Sequence, residues 1–561
     1  MDSDRALRPR PALTLSRHAV RAFFRNPMAA FFTLIFPLVF LVIVASLVGD
    51  ERTPEGVRVV QYLVAPFAVF GVAQAAFSVL AIDTAILREN GVLLRLRGAP
   101  VPRRAVLASR VVASLVASFT SFLLVGAVGV LVFGVTLQWR KMPALLVTLL
   151  LGVACLAALG MALTSVTRTV LAAQTAAQGL LIPLAFISDV FIVGADLPRW
   201  LSAIGTALPL KHFADAAAAT FDPDPGYGWS PGHLAMLAGW TVAGAAVAMW
   251  RFGWSPRGSA GGRTARPAGA AGTPARVVPQ PSTATRTGRP TAVALLLGQT
   301  RFALLGMRRD ALATFFTLVF PALILVLFPV VFGSARVHGL TMAQYLLPGM
   351  IAYAAALAGY VNLPESVAAA RADGVLKRLG GTPLPVRWYL GGRVLCALLV
   401  GLISAVLLGV VAVAGLGVRL DPVRLPAVVL AVVLGGICFC ALGLALAAVL
   451  PRLRSLTAIT LGTLLPLCFV SEIFVVGDAP LPGWLRTIGE VFPLRHLMES
   501  LLAATRPDAG GAGFAWSDLA VVTAWAAAGI LVTAWRRGAF AGAEHAATPM
   551  RTGRTGVAAH R

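Results

Sequence analysis

The sequence predicts an all-α polytopic membrane protein with about twelve transmembrane helices, arranged as two parallel six-helix repeats. Three observations support this fold class. Hydrophobic residues make up 58% of the 561 residues and charged residues only 12%, which is far from the balance of a soluble domain. Uncharged runs such as 28–48 are long enough to cross about 30 Å of hydrocarbon as a helix. Motifs of the first half also return in the second half.

The repeat is visible at several points along the chain. FFTLIFP at 31–37 matches FFTLVFP at 315–321. IPLAFISDVFIVG at 182–194 matches LPLCFVSEIFVVG at 465–477, where the residue numbers differ by 283. Because self-similarity over such a distance is the signature of duplication, the chain is predicted to consist of two homologous halves.

The domain boundaries follow from the repeat and from local composition. Between the halves lies a stretch rich in Gly, Pro, Ala and Arg and without acidic residues, which is typical of a flexible linker. Ahead of the first span, Arg17, Arg21 and Arg25 recur every four residues, which favours an interfacial helix over a merely basic tail. The predicted domains are a cytoplasmic tail with an interfacial helix at 1–26, a first six-helix membrane domain at 27–252, a flexible basic linker at 253–290, a second six-helix membrane domain at 291–537, and a cytoplasmic tail at 538–561.

Six apolar stretches in each half predict twelve spans. They lie at 27–49, 59–87, 105–135, 143–167, 170–194 and 233–252, and then at 311–333, 342–370, 388–417, 425–450, 455–477 and 517–535. Arginines such as Arg88, Arg95 and Arg103 crowd the second loop of the first half, whereas its first loop is balanced in charge. The positive-inside rule therefore places both termini and the linker in the cytoplasm. An even number of spans in each half makes the two repeats parallel.

Composition argues against several other classes of protein. The net charge of +24 is concentrated beside apolar spans, where topology and anionic lipid explain it, so we expect no nucleic-acid partner. The five cysteines lie in apolar runs without a CxxC pair or a histidine at metal-ligand spacing, so we expect no metal site. A high content of Arg and Ala with only three lysines indicates the plasma membrane of a bacterium.

A basic loop after the second span occurs twice, as RENGVLLRLRGAPVP in the first half and RADGVLKRLGGTPLP in the second. Asn90 and Asp373 are residue types that cap helix N-termini, and Gly98 and Gly380 stand where a left-handed C-terminal cap is expected. Each copy therefore predicts one short capped helix, which is too short to cross a membrane. A basic turn that only fixes topology is the alternative.

Together with two later segments, this loop resembles the membrane subunits of ABC-2 type transporters of the daunorubicin-resistance permease kind. The loop has an acidic residue, Gly, leucines with basic residues, and then Pro-x-Pro. The segments 186–216 and 469–500 contain a serine that closes the fifth span, then Leu-Pro-x-Trp-Leu and Pro-Leu-x-His. The resemblance covers 21–252 and 301–537, so the chain is similar to two such subunits fused in one polypeptide.

The chain departs from the family pattern at equivalent places in the two halves. Asp189 and Glu472 stand where the pattern usually has Gly after the serine. The acidic residue of the loop is Glu89 in the first half, but Ala372 takes its place in the second. Equal use of the two loops is therefore not expected from the sequence.

The resemblance implies the membrane permease of an exporter that moves a hydrophobic or amphipathic, drug- or antibiotic-like compound outward. The chain has no G-x-x-x-x-G-K-[ST] motif, so we expect it to be no enzyme and to hold no cofactor. A dimer of separate ATPase subunits, carrying ATP and Mg, would dock at the cytoplasmic face. The residues implied in this coupling are Glu89, Asn90, Gly91, Leu94, Arg95, Arg97, Pro100, Asp373, Gly374, Lys377, Arg378 and Pro383.

Acids inside a membrane protein are candidates for a transport pathway, because burying their charge is unfavourable. Asp83 and Glu365 are predicted either to serve the pathway or to lie at the interface paired with Arg88 or Arg371. Asp189 and Glu472 belong either to the pathway or to a solvated rim. If Asp83 and Glu365 carry protons, an ion-coupled secondary transporter with two parallel six-helix halves is the alternative function.

Other polar residues are predicted to have structural roles. Five glutamines are expected to form interhelical hydrogen bonds rather than to bind substrate, namely Gln61, Gln74, Gln174, Gln178 and Gln344. His212 and His496 have no metal partner or nucleophile beside them in the sequence, so we expect them to stabilise the outer interface.

Overall fold

The computed structural model describes residues 9–98, 102–191, 198–251, 253, 291–333, 336–382, 384–450, 453–474, 482–507 and 510–536. The predicted linker, apart from Gly253, and the predicted C-terminal tail lie outside the described residues. The described chain is built from α-helices in two similar series, and one short β-hairpin lies in the second half.

The described residues of the first half form ten α-helices. They are α1 (Pro9–Phe24), α2 (Pro27–Val48), α3 (Val60–Glu89), α4 (Val92–Arg97), α5 (Arg103–Phe133), α6 (Met142–Val166), α7 (Val170–Ile187), α8 (Arg199–Ala207), α9 (Pro209–Phe221) and α10 (Pro231–Arg251).

The second half repeats these elements in the same order, so each helix has a counterpart ten numbers later. They are α11 (Ala292–Arg309), α12 (Ala311–Phe332), β1 (Arg336–Val337), β2 (Leu340–Thr341), α13 (Met342–Ala372), α14 (Val375–Gly380), α15 (Val386–Gly415), α16 (Leu425–Val449), α17 (Leu453–Val470), α18 (Gly483–Val491), α19 (Pro493–Thr505) and α20 (Trp516–Trp535).

Within the described residues, 11 helices are long and apolar enough to span a membrane. They are α2, α3, α5, α6, α7, α10, α12, α13, α15, α16 and α20. The counterpart of α7 in the second half, α17, contains a shorter apolar stretch, Leu456–Val470. The predicted all-α fold with two repeats of spans is therefore confirmed.

The predicted ends of the fifth spans, at 194 and 477, were wrong. Helix α7 ends at Ile187 and helix α17 ends at Val470. Two residues beyond each end, Asp189 and Glu472 have φ angles of 55° and 60°. A left-handed residue cannot continue a right-handed helix, so the span stops here although the sequence remains apolar.

The first two spans of each half contain a π-helical turn at equivalent positions. In the first spans it lies at Phe31–Ile35 and Phe315–Val319, and in the second spans at Gln74–Val79 and Leu357–Asn362. Such turns change the direction of the side chains that follow them. A further π turn, Val411–Gly415, lies in α15, whereas its counterpart α5 is assigned as α-helix throughout.

The second spans, α3 and α13, are the most buried helices, and glycines on the fourth spans allow close packing against them. A Cβ atom on Gly160 would lie 2.8 Å from the carbonyl oxygen of Phe77. A Cβ atom on Gly443 would lie 2.5 Å from the carbonyl oxygen of Gly359. Small residues at a helix contact let backbones approach, which is how membrane helices gain packing energy.

A helix precedes the first span in each half. In α1 the side chains of Ala19 and Phe23 are buried while Arg17 and Arg21 are exposed, and the helix packs against α5. Sequence reasoning missed its counterpart α11, which packs against α15. A membrane-interface position for α1 stays a prediction.

The halves meet where the first span of one half contacts the fifth span of the other. The ring centroids of Phe40 and Phe469 are 4.4 Å apart, and those of Phe186 and Phe328 are 5.7 Å apart. Aromatic pairs at these separations stabilise an interface beyond their apolar area. Both contacts lie toward the side of the bundle away from α4 and α14, since α7 and α17 end there.

Candidate functional site

The two short loop helices, α4 and α14, lie on the same side of the bundle because six spans separate them along the chain. Each begins after a glycine with a φ of 68°, Gly91 in the first half and Gly374 in the second. Gly adopts this left-handed conformation without steric strain. The glycine ends the long span helix and turns the chain into the loop helix.

The predicted caps of these helices were wrong. Asn90 and Asp373 end the second spans, and no side chain caps either loop helix at its start. Gly98 has a φ of −82°, which is not left-handed, and Gly380 is the last residue of α14. The left-handed glycine instead follows the last residues of the second span, which is the position where such a glycine commonly ends a helix.

Each loop helix buries one leucine and exposes a polar or basic surface. The buried residues are Leu93 in α4 and Leu376 in α14. Leu94 is 47% exposed, and its counterpart Lys377 is exposed as well.

The arginines Arg95 and Arg378 occupy equivalent positions on the loop helices. A guanidinium nitrogen of each lies 3.3 Å from the carbonyl oxygen of Asn90 or Asp373. Both side chains remain exposed. The Arg97 side chain, Pro100 and Pro383, which the resemblance implied in coupling, lie outside the described residues.

Residues at the start of the first loop are fastened to the neighbouring spans. The guanidinium of Arg88, only 1% exposed, donates to the carbonyl oxygens of Thr164 at 2.5 Å and Thr167 at 2.8 Å. A carboxylate oxygen of Glu89 accepts a 2.7 Å hydrogen bond from the backbone N–H of Val170. The end of α6 and the start of α7 therefore both attach to the residues that lead into α4.

The second half reproduces part of this arrangement. Arg371 donates a 3.1 Å hydrogen bond to the carbonyl oxygen of Ala447, the counterpart of Thr164. Both arginines thus cap the C-terminus of a fourth span, where the helix dipole favours a cation. Ala372 has no carboxylate that could take the place of Glu89.

The acids Asp83 and Glu365 lie near the same junctions. Asp83 is half-buried on α3. The Glu365 carboxyl on α13 has Thr457 of α17 as a polar neighbour, and its Oε1 has no hydrogen-bond partner among the described residues. A pathway role for either acid stays a prediction.

At the opposite side of the bundle, Asp189 and Glu472 form equivalent ion pairs. Asp189 pairs with Lys211, and Glu472 lies 3.5 Å from Arg495. All four side chains are largely buried, with exposures between 15% and 24%. The pairs join the ends of the fifth spans to α9 and α19, which favours a structural role over a solvated rim.

The left-handed φ angles at Asp189 and Glu472 are ones that Gly adopts without strain, which fits the Gly of the pattern that the sequence resembles. A side chain in this conformation is strained by about 1–2 kcal/mol. In this chain each carboxylate forms an ion pair, which offsets part of the strain. The strained residue thereby links the end of the fifth span to α9 or α19. The basic partners Lys211 and Arg495 are members of the two Pro-Leu-x-His segments.

The predicted structural histidines lie beside these pairs. Nδ1 of His212 is 2.9 Å from Nδ1 of His233, and its Nε2 is 2.8 Å from the carbonyl oxygen of Thr206. Nδ1 of His496 is 2.7 Å from a carboxylate oxygen of Asp518. Each histidine thus connects α9 or α19 to the sixth span of its half, which supports a structural role.

Partial burial also affects the acids on α9 and α19. Burial raises the pKa of Asp215, although the charges of Lys211 and His233 oppose the shift. Burial likewise raises the pKa of Glu499, with Arg495 acting in the opposite direction. Sequence analysis assigned no role to either group.

Polar pairs join the second and fifth spans in both halves. Nε2 of Gln178 lies 3.5 Å from Oε1 of Gln74, an interhelical contact of the predicted kind. For Gln344 the prediction was wrong, because its side chain accepts a hydrogen bond from the backbone N–H of Thr341 and caps its own helix. In the second half the hydroxyls of Tyr360 and Thr463 are 2.9 Å apart, and this pair is accessible from the surface. Among the described residues no three His, Cys, Asp or Glu side chains could hold a metal ion.

A family model of ABC-2 type transporters matches the sequence twice, at residues 12–221 and 296–505. The two matches cover more than half of the chain and coincide with α1–α9 and α11–α19. The chain belongs to the ABC-2 type transporter family. No curated protein matched the sequence. The double match confirms both the duplication and the resemblance that the loop pattern indicated.

Proposed function

We propose that this ABC-2 protein is the membrane permease of an exporter that moves a hydrophobic or amphipathic, drug- or antibiotic-like compound outward. Energy comes from separate ATPase subunits, which bind ATP and Mg. The observation that carries this proposal is the pair of equivalent loop helices, α4 and α14, on one side of the bundle. Two exposed helices at equivalent positions of the repeat could each bind one subunit of a motor that consists of two equivalent subunits.

The contacts around the first loop suggest how motor movement reaches the membrane. Helix α4 follows α3 through Gly91, while Arg88 holds α6 and Glu89 holds α7. A displacement of α4 therefore acts on three spans together. When the motor dimer closes on ATP, α4 and α14 are drawn toward each other and the two halves tilt.

The seam between the halves is the part of the protein that this movement opens. In the described structure it is closed by the Phe40–Phe469 and Phe186–Phe328 contacts on the side away from the loop helices. Outward release requires these rings to separate. An apolar, aromatic lining suits a lipophilic compound, because burial of its apolar surface provides the binding energy.

The proposed topology places α4, α14 and both termini in the cytoplasm of a bacterium and the Asp189–Lys211 pair at the outer face. Family membership favours ATP-driven transport over the ion-coupled alternative. In that alternative, Asp83 and Glu365 would carry protons and no motor subunit would be needed.

The experiment that tests the proposal measures uptake of a lipophilic fluorescent dye into inside-out vesicles. The vesicles contain either the chain alone or the chain with a candidate P-loop ATPase subunit from the same organism. We expect ATP-dependent uptake only with both proteins. Uptake by the chain alone under a proton gradient, abolished in Asp83→Asn and Glu365→Gln, would replace the proposal with the ion-coupled mechanism.

A further inference from the structure

The second half contains an apolar groove of about 440 Å³ between α13, α15 and α16. It lies toward the side of the bundle away from α14, near the starts of α13 and α16. Its lining includes Leu347, Leu402, Gly409 and Val429. Val410, on the same lining, is 57% exposed, so the groove opens to the surface that faces the bilayer. Its volume is within the range of protein sites that bind small ligands.

Two features of α15 create the groove. Gly409 has no side chain, and a Cβ atom there would meet only Leu420, at 4.0 Å. The π turn Val411–Gly415 follows directly and redirects the end of the helix. Helix α5 of the first half has a glycine at the equivalent position, Gly126, but is assigned as α-helix throughout.

The residues beside the groove are mostly basic. Arg419 and Arg506 are exposed, and each is the chain neighbour of a lining residue, Leu420 or Thr505. The acid Asp421, which also adjoins Leu420, lies 3.8 Å from the guanidinium of Arg424 and is balanced by that charge. The backbone of Arg506 is held in place because its carbonyl oxygen accepts a 2.5 Å hydrogen bond from Arg424.

The first half has a different charge at the same positions. Its equivalent bond runs from Nζ of Lys141 to the carbonyl oxygen of Asp222 at 2.7 Å. Asp222 therefore occupies the place of Arg506, and Thr136 occupies the place of Arg419. A cationic rim beside an apolar groove is a feature of the second half.

We propose that this groove binds one acyl chain of an anionic phospholipid, whose phosphate lies at Arg419 and Arg506. The groove offers an apolar surface that the acyl chain covers, and the rim offers charge complementary to the headgroup. The occupant comes from the leaflet opposite the loop helices. The site is independent of the compound that the protein exports.

The test uses the full chain reconstituted in nanodiscs of phosphatidylcholine and phosphatidylglycerol in equal amounts. After extraction into detergent and extensive washing, native mass spectrometry counts the lipids that remain bound. Wild-type protein is expected to retain phosphatidylglycerol in preference to phosphatidylcholine. Gly409→Leu fills the groove and is expected to lose this lipid, whereas Gly126→Leu in the first half is the matched control and retains it.

Two further variants separate the groove from the rim. Val410→Trp blocks the groove from an exposed position and should act like Gly409→Leu, which guards against a folding defect in one variant. Arg419→Ser with Arg506→Ser should abolish the preference for phosphatidylglycerol. Unchanged lipid retention in Gly409→Leu and Val410→Trp, or equal retention of the two lipids by the wild type, would overturn the proposal.

Discussion

The backbone N–H of Val170 donates a hydrogen bond of 2.7 Å to a carboxylate oxygen of Glu89. The carboxylate lies at the first turn of α7, where free N–H groups and the helix dipole favour a negative charge. The acid of the first loop thus stabilises the start of the fifth span in addition to any contact it makes with a motor subunit.

Replacing Glu89 with Ala should destabilise the protein, because the first turn of α7 loses a capping acceptor. Loss of a capping side chain costs about 0.5–2 kcal/mol. Thermal unfolding in detergent should show a lower midpoint for Glu89→Ala than for Glu89→Gln, which keeps an acceptor oxygen. Ala372→Glu should be tolerated, since Ala372 is exposed.

Pull-down of the ATPase by the same variants separates stability from coupling. If Glu89 also contacts the motor, Glu89→Gln should bind it more weakly at equal membrane abundance. Wild-type unfolding and wild-type motor binding in Glu89→Ala would show that the acid has neither role.

Replacing Gly91 or Gly374 with Ala should distort the start of a loop helix without a steric clash. A Cβ atom would meet nothing within 4 Å at either position, so the effect comes only from the left-handed backbone. That strain is about 1–2 kcal/mol. We expect weaker retention of the ATPase by both variants in a pull-down from membranes.

Gly98→Ala is the control for this prediction, because Gly98 has a φ of −82° and lies at the other end of the same loop helix. It should retain the ATPase as the wild type does. Equal retention by Gly91→Ala and Gly98→Ala would mean that the geometry of the loop helix does not matter for docking.

Removing the acid or the base of the Asp189–Lys211 ion pair should lower the stability of the protein by different amounts. Asp189→Gly loses the carboxylate but relieves a residue whose φ is 55°. Lys211→Met leaves that strain in place and also leaves a largely buried carboxylate without its cation, which costs about 1–3 kcal/mol or more. Thermal unfolding should therefore rank Lys211→Met below Asp189→Gly.

The charge-swapped double variant, Asp189→Lys with Lys211→Asp, tests whether the pair itself matters, and it should recover part of the loss seen in Lys211→Met. A variant Asp189→Gly that is less stable than Lys211→Met would contradict the account of strain at this position.

The raised pKa of Asp215 predicts a dependence of stability on pH. A carboxyl group whose pKa is higher in the folded state stabilises the fold most below the ordinary value of about 3.9, and this contribution is lost as pH rises through the raised pKa. Asp215→Asn should therefore raise the unfolding midpoint more at neutral than at acid pH.

The exposed Asp224 provides the comparison for Asp215. Asp224→Asn should shift the midpoint little, and by a similar amount at each pH. A difference between Asp215→Asn and the wild type that stays constant from neutral to acid pH would refute the assignment of burial as the dominant influence on Asp215.

Much of the fold could be predicted because apolar length and repetition are local properties of a sequence. The second spans, the loop helices and the duplication were all visible in this way. The ends of the fifth spans were not, since they depend on the backbone angles of Asp189 and Glu472. Apolar residues continue beyond both positions, so hydropathy alone placed the ends too late.

The bonds around the loops could not be predicted because they join residues far apart in the chain. Arg88 and Thr164 are separated by 76 positions, and Glu89 and Val170 by 81. A sequence shows that a donor and an acceptor are present, but it does not show that the fold brings them within hydrogen-bond distance. The groove near Gly409 was not predicted either. It results from a π turn in α15, and no residue pattern in that helix indicates such a turn.

We have proposed that one chain provides two docking positions for motor subunits. The most direct test is native mass spectrometry of the complex formed with the ATPase and a non-hydrolysable ATP analogue, which counts motor subunits per chain. We expect two on the wild-type chain and fewer after Gly91→Pro or Gly374→Pro. A wild-type chain that binds fewer than two motor subunits would contradict the account, as would a chain with both Gly91→Pro and Gly374→Pro that still binds two.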